Sequence, residues 1–119
     1  MIRDYRDLLI WQRAMKLVQA IYAATATFPS DELHGLTSQI RRSAVSVPSN
    51  IAEGHGRESE GDFRRFLAIA RGPLAELQTQ LILSGNLGFI ENEAVATLLQ
   101  NTEELARMIR GMQKSLVIK

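Results

Sequence analysis

Cysteine is absent from this sequence of 119 residues, which excludes disulfide bonds and thiolate metal sites. A strong excess of one charge is also absent, because 14 Lys and Arg stand against 13 Asp and Glu for a formal net charge of +1. That balance is far from the bias of a dedicated nucleic-acid binder. No uncharged run reaches the roughly 18 residues of a membrane span, and charges interrupt the apolar residues of the N-terminus. We therefore expect no membrane partner, no signal peptide and, by default, a cytoplasmic location.

What the chain does contain is typical of a folded protein. Hydrophobic residues make up 45% of it and charged residues 23%, whereas a disordered chain is poorer in apolar residues and more strongly charged. The length is close to that of one compact domain. We predict a single domain that spans residues 1–119.

Apolar residues recur at steps of three and four in four segments, and no segment shows the alternation of a β-strand. In chain order the four stripes are Trp11, Ala14, Val18, Ile21, Thr25 and Phe28; Leu36, Ile40, Ala44, Val47 and Ile51; Phe63, Leu67, Ala70, Leu74, Leu77 and Leu81; and Val95, Leu98, Thr102, Leu105, Ile109, Met112 and Leu116. Four amphipathic helices joined by short turns predict an all-α fold, an antiparallel up-down four-helix bundle. Trp11 continues the first stripe, so we assign it to the core rather than to base stacking.

Turn residues predict where the helices begin and end. Ser59 followed by Asp62 resembles a capping box at the start of the third helix, and Asn92 is a candidate cap for the fourth. The two glycines of "EGHG" are expected to end the second helix in left-handed conformations. A hairpin near Arg57 then sets one row of core residues level with another: Ile40, Ala44, Val47 and Ile51 with Leu74, Ala70, Leu67 and Phe63.

Pro48 lies inside the second helical segment. It lacks an N–H and clashes with the carbonyl four residues before it, which costs ~3 kcal/mol in an unperturbed helix. Polar residues follow at helical spacing beside the apolar stripe, and the hairpin register sets Asn50 level with Arg64 and Ser43 level with Arg71. We predict a polar seam between the second and third helices, made of Ser43, Ser46, Pro48, Asn50, Glu53 and Arg71. Either it accommodates a kink that tunes helix curvature, or it is a binding surface.

Catalytic and metal-binding patterns are missing from the sequence. His34 and His55 are the only histidines, each in a predicted turn, and no Glu-x-x-His pair of a di-metal bundle occurs. There is no nucleophile elbow and no phosphate-binding glycine-rich loop after a strand. We therefore predict a protein that is not an enzyme, with no catalytic residue, metal, cofactor or small-molecule substrate.

Basic residues gather in the second and third helices. The candidate nucleic-acid-binding residues are Arg41, Arg42, Arg57, Arg64 and Arg65. Four nearby acids oppose them: Glu53, Glu58, Glu60 and Asp62. Two interpretations stay open, because these arginines either contact phosphates or form ion pairs and hydrogen bonds within the protein.

A second apolar face accompanies the third stripe. Phe66 is off the stripe, and with Ile69 it widens the apolar surface beyond what one bundle needs. Exposed apolar patches usually mark contact with another molecule, so we predict that Phe66 and Ile69 belong to an oligomer interface.

Three stretches, "DLLIWQRA", "FPSDELHGLTSQIRRSAVSVPSNIAEGHGR" and "FRRFLAIARGPLAELQTQL", resemble the four-helix-bundle family of 23S ribosomal RNA intervening-sequence proteins. The last helix resembles that family only as a generic heptad. The resemblance implies a ring-like homopentamer with the polar seam near its subunit interface. Accessory proteins of diversity-generating retroelements are similar in fold, and those relatives bind nucleic acid and a reverse transcriptase.

Two functions follow as hypotheses. The first is a non-enzymatic, self-assembling scaffold or adaptor that associates with RNA, DNA or a nucleic-acid enzyme. The second is a protein-binding or structural oligomer with no nucleic-acid role. Salt-dependent binding of nucleic acid separates the two.

Overall fold

The computed structural model describes residues 4–116, and within that range the chain forms α-helices and no strand. The α-helices are α1 (Leu9–Thr25), α2 (Leu36–His55), α3 (Glu60–Asn86) and α4 (Asn92–Ser115). Short 3-10 turns occupy Tyr5–Asp7 and Ser30–Glu32. The prediction of an all-α fold with four helices is therefore confirmed.

Each helix packs on the next one along the chain, and α1 also packs on α4. The connections are too short for a crossover, so consecutive helices run antiparallel. The bundle measures 48 × 23 × 20 Å. In this arrangement the α1/α2 groove and the α3/α4 groove lie on opposite sides of the molecule.

The core is built from the four predicted stripes. All eight residues expected to stand level across α2 and α3 belong to it. The first stripe is broader than predicted, because Ile10 and Leu17 are buried as well, while Trp11 and Val18 are only half-buried against the core.

Two of the predicted helix ends need correction. Ser59 does cap α3, since its hydroxyl accepts a hydrogen bond from the Asp62 amide at 3.0 Å. Asn92, in contrast, is the first residue of α4, and Glu91 occupies the cap position without a side-chain bond. Gly56, the C-cap of α2, is right-handed with φ of −75°, and Gly88 is the glycine with positive φ within residues 4–116.

Gly54 has a different role, because it lets α2 and α3 approach each other closely. A Cβ at this position would overlap the Phe66 Cβ and would lie 3.3 Å from Cδ1 of Phe63. The helix pair α2 and α3 is also the most extensive contact of the bundle. Glycine at this position is therefore a packing requirement and not a turn signal.

Pro48 lies within α2 and Pro73 within α3, and neither proline ends its helix. Beside Pro48, the Asn50 side-chain amide donates to the Ser46 carbonyl at 2.8 Å and to the Ser46 hydroxyl at 3.1 Å. The carbonyl that Pro48 leaves without its helical partner is that of Ala44. The Asn50 side chain therefore supports the helix at the Ser46 carbonyl, two residues after the carbonyl that Pro48 leaves free.

Candidate nucleic-acid interface

The predicted basic residues fall into separate places, and two of them lie on the α1/α2 side. Arg41 donates from Nε to the Thr25 hydroxyl at 2.8 Å, and its guanidinium lies 4.5 Å from the centre of the Tyr22 ring. Arg42 donates to the Ser38 hydroxyl at 3.4 Å. Arg41 therefore joins α1 to α2.

Arg57 and Arg65 both lie over the ring of Phe66, each 4.8 Å from its centre. Each also pairs with an acid: Arg57 with Glu53 at 2.9 Å and Arg65 with Asp62 at 3.7 Å. These pairs are exposed, so each contributes little stability on its own. Both arginines have interactions within the chain that compete with a phosphate.

Phe66 itself is only 7% exposed, because α2 approaches its Cβ closely at Gly54 and the side chains of Arg57 and Arg65 lie over its ring. It therefore has little surface to offer to a second molecule. Ile69 is 41% exposed, and its place in an oligomer interface stays a prediction.

The polar seam is smaller than predicted. Ser43 is buried, Ser46 and Asn50 bond to each other, and Glu53 accepts from Arg57. Arg71, however, donates to Gln113 Oε1 of α4 at 3.3 Å. Arg71 is level with Ser43 along the bundle axis, but its side chain lies on the side of α3 that faces α4 and not on the side that faces α2. It therefore does not belong to the seam.

The α3/α4 side carries an open basic groove. It is lined by two helices, with a glycine, an alanine and a glutamine between the basic side chains. The lining residues are Gly61, Arg64, Arg65 and Ala68, with Arg71, Arg110, Gln113 and Lys114. No acidic residue is among them. This groove unites two of the predicted arginines with three basic residues that were not predicted to bind nucleic acid.

Within the described residues, four of the five cations of the groove have no ion pair, and one of the four, Arg71, donates to the neutral amide of Gln113. Within residues 4–116, no carboxylate lies within 4.0 Å of the charged nitrogens of Arg64, Arg110 or Lys114. The groove continues along the helices past Arg71 and Arg110 to Arg107, where Glu103 is the one acid in the lining. Cations that are exposed and unpaired are available to an anionic partner.

Sequence reasoning missed the α4 half of this groove. Arg107, Arg110 and Lys114 follow one another at steps of three and four, so they share one face of α4. These basic residues have the same spacing as the core residues of α4 and form a second stripe on that helix. From the sequence, α4 was assigned only a core heptad, so this basic stripe was not among the predicted nucleic-acid-binding residues.

The described part of the chain offers neither a metal site nor a membrane segment. No group of three or more His, Asp or Glu side chains in residues 4–116 is arranged to hold a metal ion. Within the same range, no helix is long and apolar enough to cross a bilayer.

The fold and the groove together define the class: a four-helix protein with a basic groove between α3 and α4. The chain belongs to the family of 23S rRNA-intervening sequence proteins, whose family model matches residues 6–111. A solved structure from Bacteroides thetaiotaomicron, a protein of unknown function from the S23 ribosomal protein family, is similar with a TM-score of 0.79. The two share 21% identity over 89% of this chain and 99% of that one, a likeness that shows the fold alone. Comparison with curated proteins finds no match.

Proposed function

We propose that this chain is a non-enzymatic helical scaffold or adaptor that binds nucleic acid along the α3/α4 groove. One observation carries the proposal: the groove brings together five basic residues with no acid in its lining, and its continuation to Arg107 adds one acid, Glu103. The net charge of +1 conceals this local excess, because acids and bases are unevenly distributed over the surface. A local basic stripe attracts phosphates even on a chain that is nearly neutral.

The proposal moves the binding surface relative to the sequence prediction. Arg64 and Arg65 remain part of it, and Arg110 and Lys114 of α4 are added. Arg41 has a structural role, since it joins α1 to α2. Arg42 lies on the opposite side of the bundle from the groove.

Self-assembly into a ring-like homopentamer is the second part of the proposal. It rests on the family resemblance and on exposed apolar side chains of α3, namely Ile69, Ile82 and Leu83. A ring would repeat the groove around its axis, and linked weak contacts bind more tightly than separate ones. Light scattering at micromolar concentration should give about five times the chain mass of 13.3 kDa. A mass of 13.3 kDa would contradict self-assembly.

The alternative is a protein-binding or structural oligomer with no nucleic-acid role. The near-neutral net charge and the same exposed apolar residues of α3 favour it. Under this alternative, the cations of the groove are a solvated surface with no ligand.

Fluorescence anisotropy of labelled RNA and DNA across a salt series tests the proposal. We expect the logarithm of the association constant to fall linearly with the logarithm of salt concentration, by ~0.9 per phosphate contact on a duplex. Three to five contacts would therefore give a slope of about −2.7 to −4.5. Absence of binding at low salt would contradict the nucleic-acid role and favour the alternative.

A further inference from the structure

The α3/α4 groove has free cations but no free side-chain amide for reading bases. Its glutamine is already bonded at both ends of the side-chain amide, since Gln113 accepts from Arg71 and donates to the Arg64 carbonyl, each at 3.3 Å. Farther along, Gln78 donates to Thr102 at 3.0 Å. Arginine contacts both guanine and phosphates, whereas adenine is read by the amides of Asn and Gln, which are not free here. The free side chains of the groove are therefore cations alone, and phosphates are the ligand common to all of them.

Aromatic rings are also unavailable in the groove. The chain has one Trp, two Tyr and four Phe, all within residues 4–116, and none of them lines the groove. Each ring packs on another ring or under a guanidinium group: Tyr5 on Trp11, Phe28 on Phe89, Phe63 on His55, Tyr22 under Arg41, and Phe66 under Arg57 and Arg65. Proteins that hold single strands generally stack the bases on free aromatic side chains. This groove has no such platform.

The cations form two rows instead of one. Arg64 and Arg71 lie two turns apart on α3, about 10 Å along the helix axis, and Arg107 and Lys114 have the same spacing on α4. Packed helices have axes about 8–10 Å apart. The two rows start from helix axes at that separation. Arg71 reaches across to Gln113 of α4, while Arg64 and the α4 cations, on long flexible side chains, can meet the two backbones that flank a groove of a duplex, which is about 6 to 12 Å wide in B-DNA. A single strand presents only one row of phosphates.

We infer that the α3/α4 groove binds the sugar-phosphate backbones of a double-stranded nucleic acid and does not read its bases. The inference rests on the proposed function and specifies the class of ligand. A DNA duplex and an RNA duplex share this backbone chemistry, and separate probes distinguish them.

The test uses the full-length protein and four labelled probes of about two helical turns, each compared at about 0.1 M salt. They are a DNA duplex, an RNA duplex of the same sequence, one strand of the DNA alone, and a DNA duplex with its base order scrambled. We expect at least one of the duplexes to bind tenfold more tightly than the single strand. Scrambling should change the affinity by less than twofold.

Two results would overturn the inference while leaving the proposed function intact. One is a single strand that binds as tightly as both duplexes. The other is a tenfold loss on scrambling, which would mean that arginines of the groove read base edges. If none of the four probes binds even at low salt, the proposed function fails and the inference fails with it. As a control, Arg42→Glu changes a cation on the opposite side of the bundle and should preserve the order of the probes.

Discussion

The two sides of α3 differ in what their side chains do. On the α2 side, Gly54 brings the backbones close and buries Phe63 and Phe66. On the α4 side, small residues and exposed arginines leave an open groove. One helix thus combines a tightly packed side with a side that is free to meet a partner.

The difference between the two sides of α3 shows that arginines of one chain can have different roles. Arg41 and Arg57 have ring, hydroxyl or carboxylate partners within the chain. Arg64 and Arg110 have no such ion pair within residues 4–116, although they are the same residue type. Whether a basic residue has a structural role or is free to bind a partner therefore depends on its neighbours in the fold. A count of basic residues does not distinguish the two.

The largest effect should come from breaking the close approach of α2 and α3. Gly54→Ala places a methyl group that overlaps the Phe66 Cβ, and neither backbone can move without disturbing the core. Overpacking costs about 1–3 kcal/mol, and we expect the free energy of unfolding to fall by about 2 kcal/mol. Denaturant unfolding followed by circular dichroism measures it.

Gly111→Ala on α4 is the matched control for Gly54→Ala. A Cβ at Gly111 would meet nothing within 4 Å, and the residue lies in the interior of a helix. There the substitution should stabilise the chain by about 0.5–1 kcal/mol. Equal effects at the two positions would show that α2 and α3 do not need glycine for their contact.

Removing an arginine with partners should have an intermediate effect. Arg41→Ala loses the hydrogen bond to Thr25 and the contact with Tyr22, for an expected loss of about 1–2 kcal/mol in unfolding free energy. Arg64→Ala is the matched control on the open side and should change stability by less than about 0.5 kcal/mol. A larger loss for Arg64→Ala than for Arg41→Ala would reverse the assignment of the two arginines.

The smallest effect concerns an arginine whose partner is on the surface. Hydrogen bonds from the Arg6 side chain and backbone lower the pKa of Asp4 from 3.8 to about 2. Because the pKa is lowered on folding, the stabilising pair is present above pH 3.8 and is lost as the pH falls through about 2. Titration by NMR should find this low pKa in the native chain, and Arg6→Ala should return it toward 3.8. An ordinary pKa of Asp4 in the native chain would contradict the pairing.

The helices could be predicted because their information is local. Core residues at steps of three and four mark each helix, and Ser59 with Asp62 marks the start of α3. The helix ends at Gly56 and Asn92 were less predictable, since a glycine or an asparagine fits more than one position at a helix end.

Only the α3 half of the basic groove could be predicted, because the groove depends on how α3 and α4 are each rotated about their own axes. The hairpin register predicts the position of Arg71 along the bundle axis but not the side of α3 on which its side chain lies. The α4 residues Arg110 and Lys114 become neighbours of Arg64 only through packing. Burial of Phe66 likewise depends on Gly54, which is distant in sequence.

The most direct test of the groove compares two charge-reversed proteins in binding a DNA duplex at about 0.1 M salt. One carries Arg64→Glu and Arg110→Glu in the α3/α4 groove, and the other carries Lys16→Glu and Arg42→Glu outside it. The net charge changes equally in the two proteins, and circular dichroism confirms that both are folded. Binding through the groove predicts at least a tenfold loss of affinity for the first protein and less than a threefold loss for the second. Equal losses would contradict the central claim, because they would show that total charge, and not this groove, governs binding.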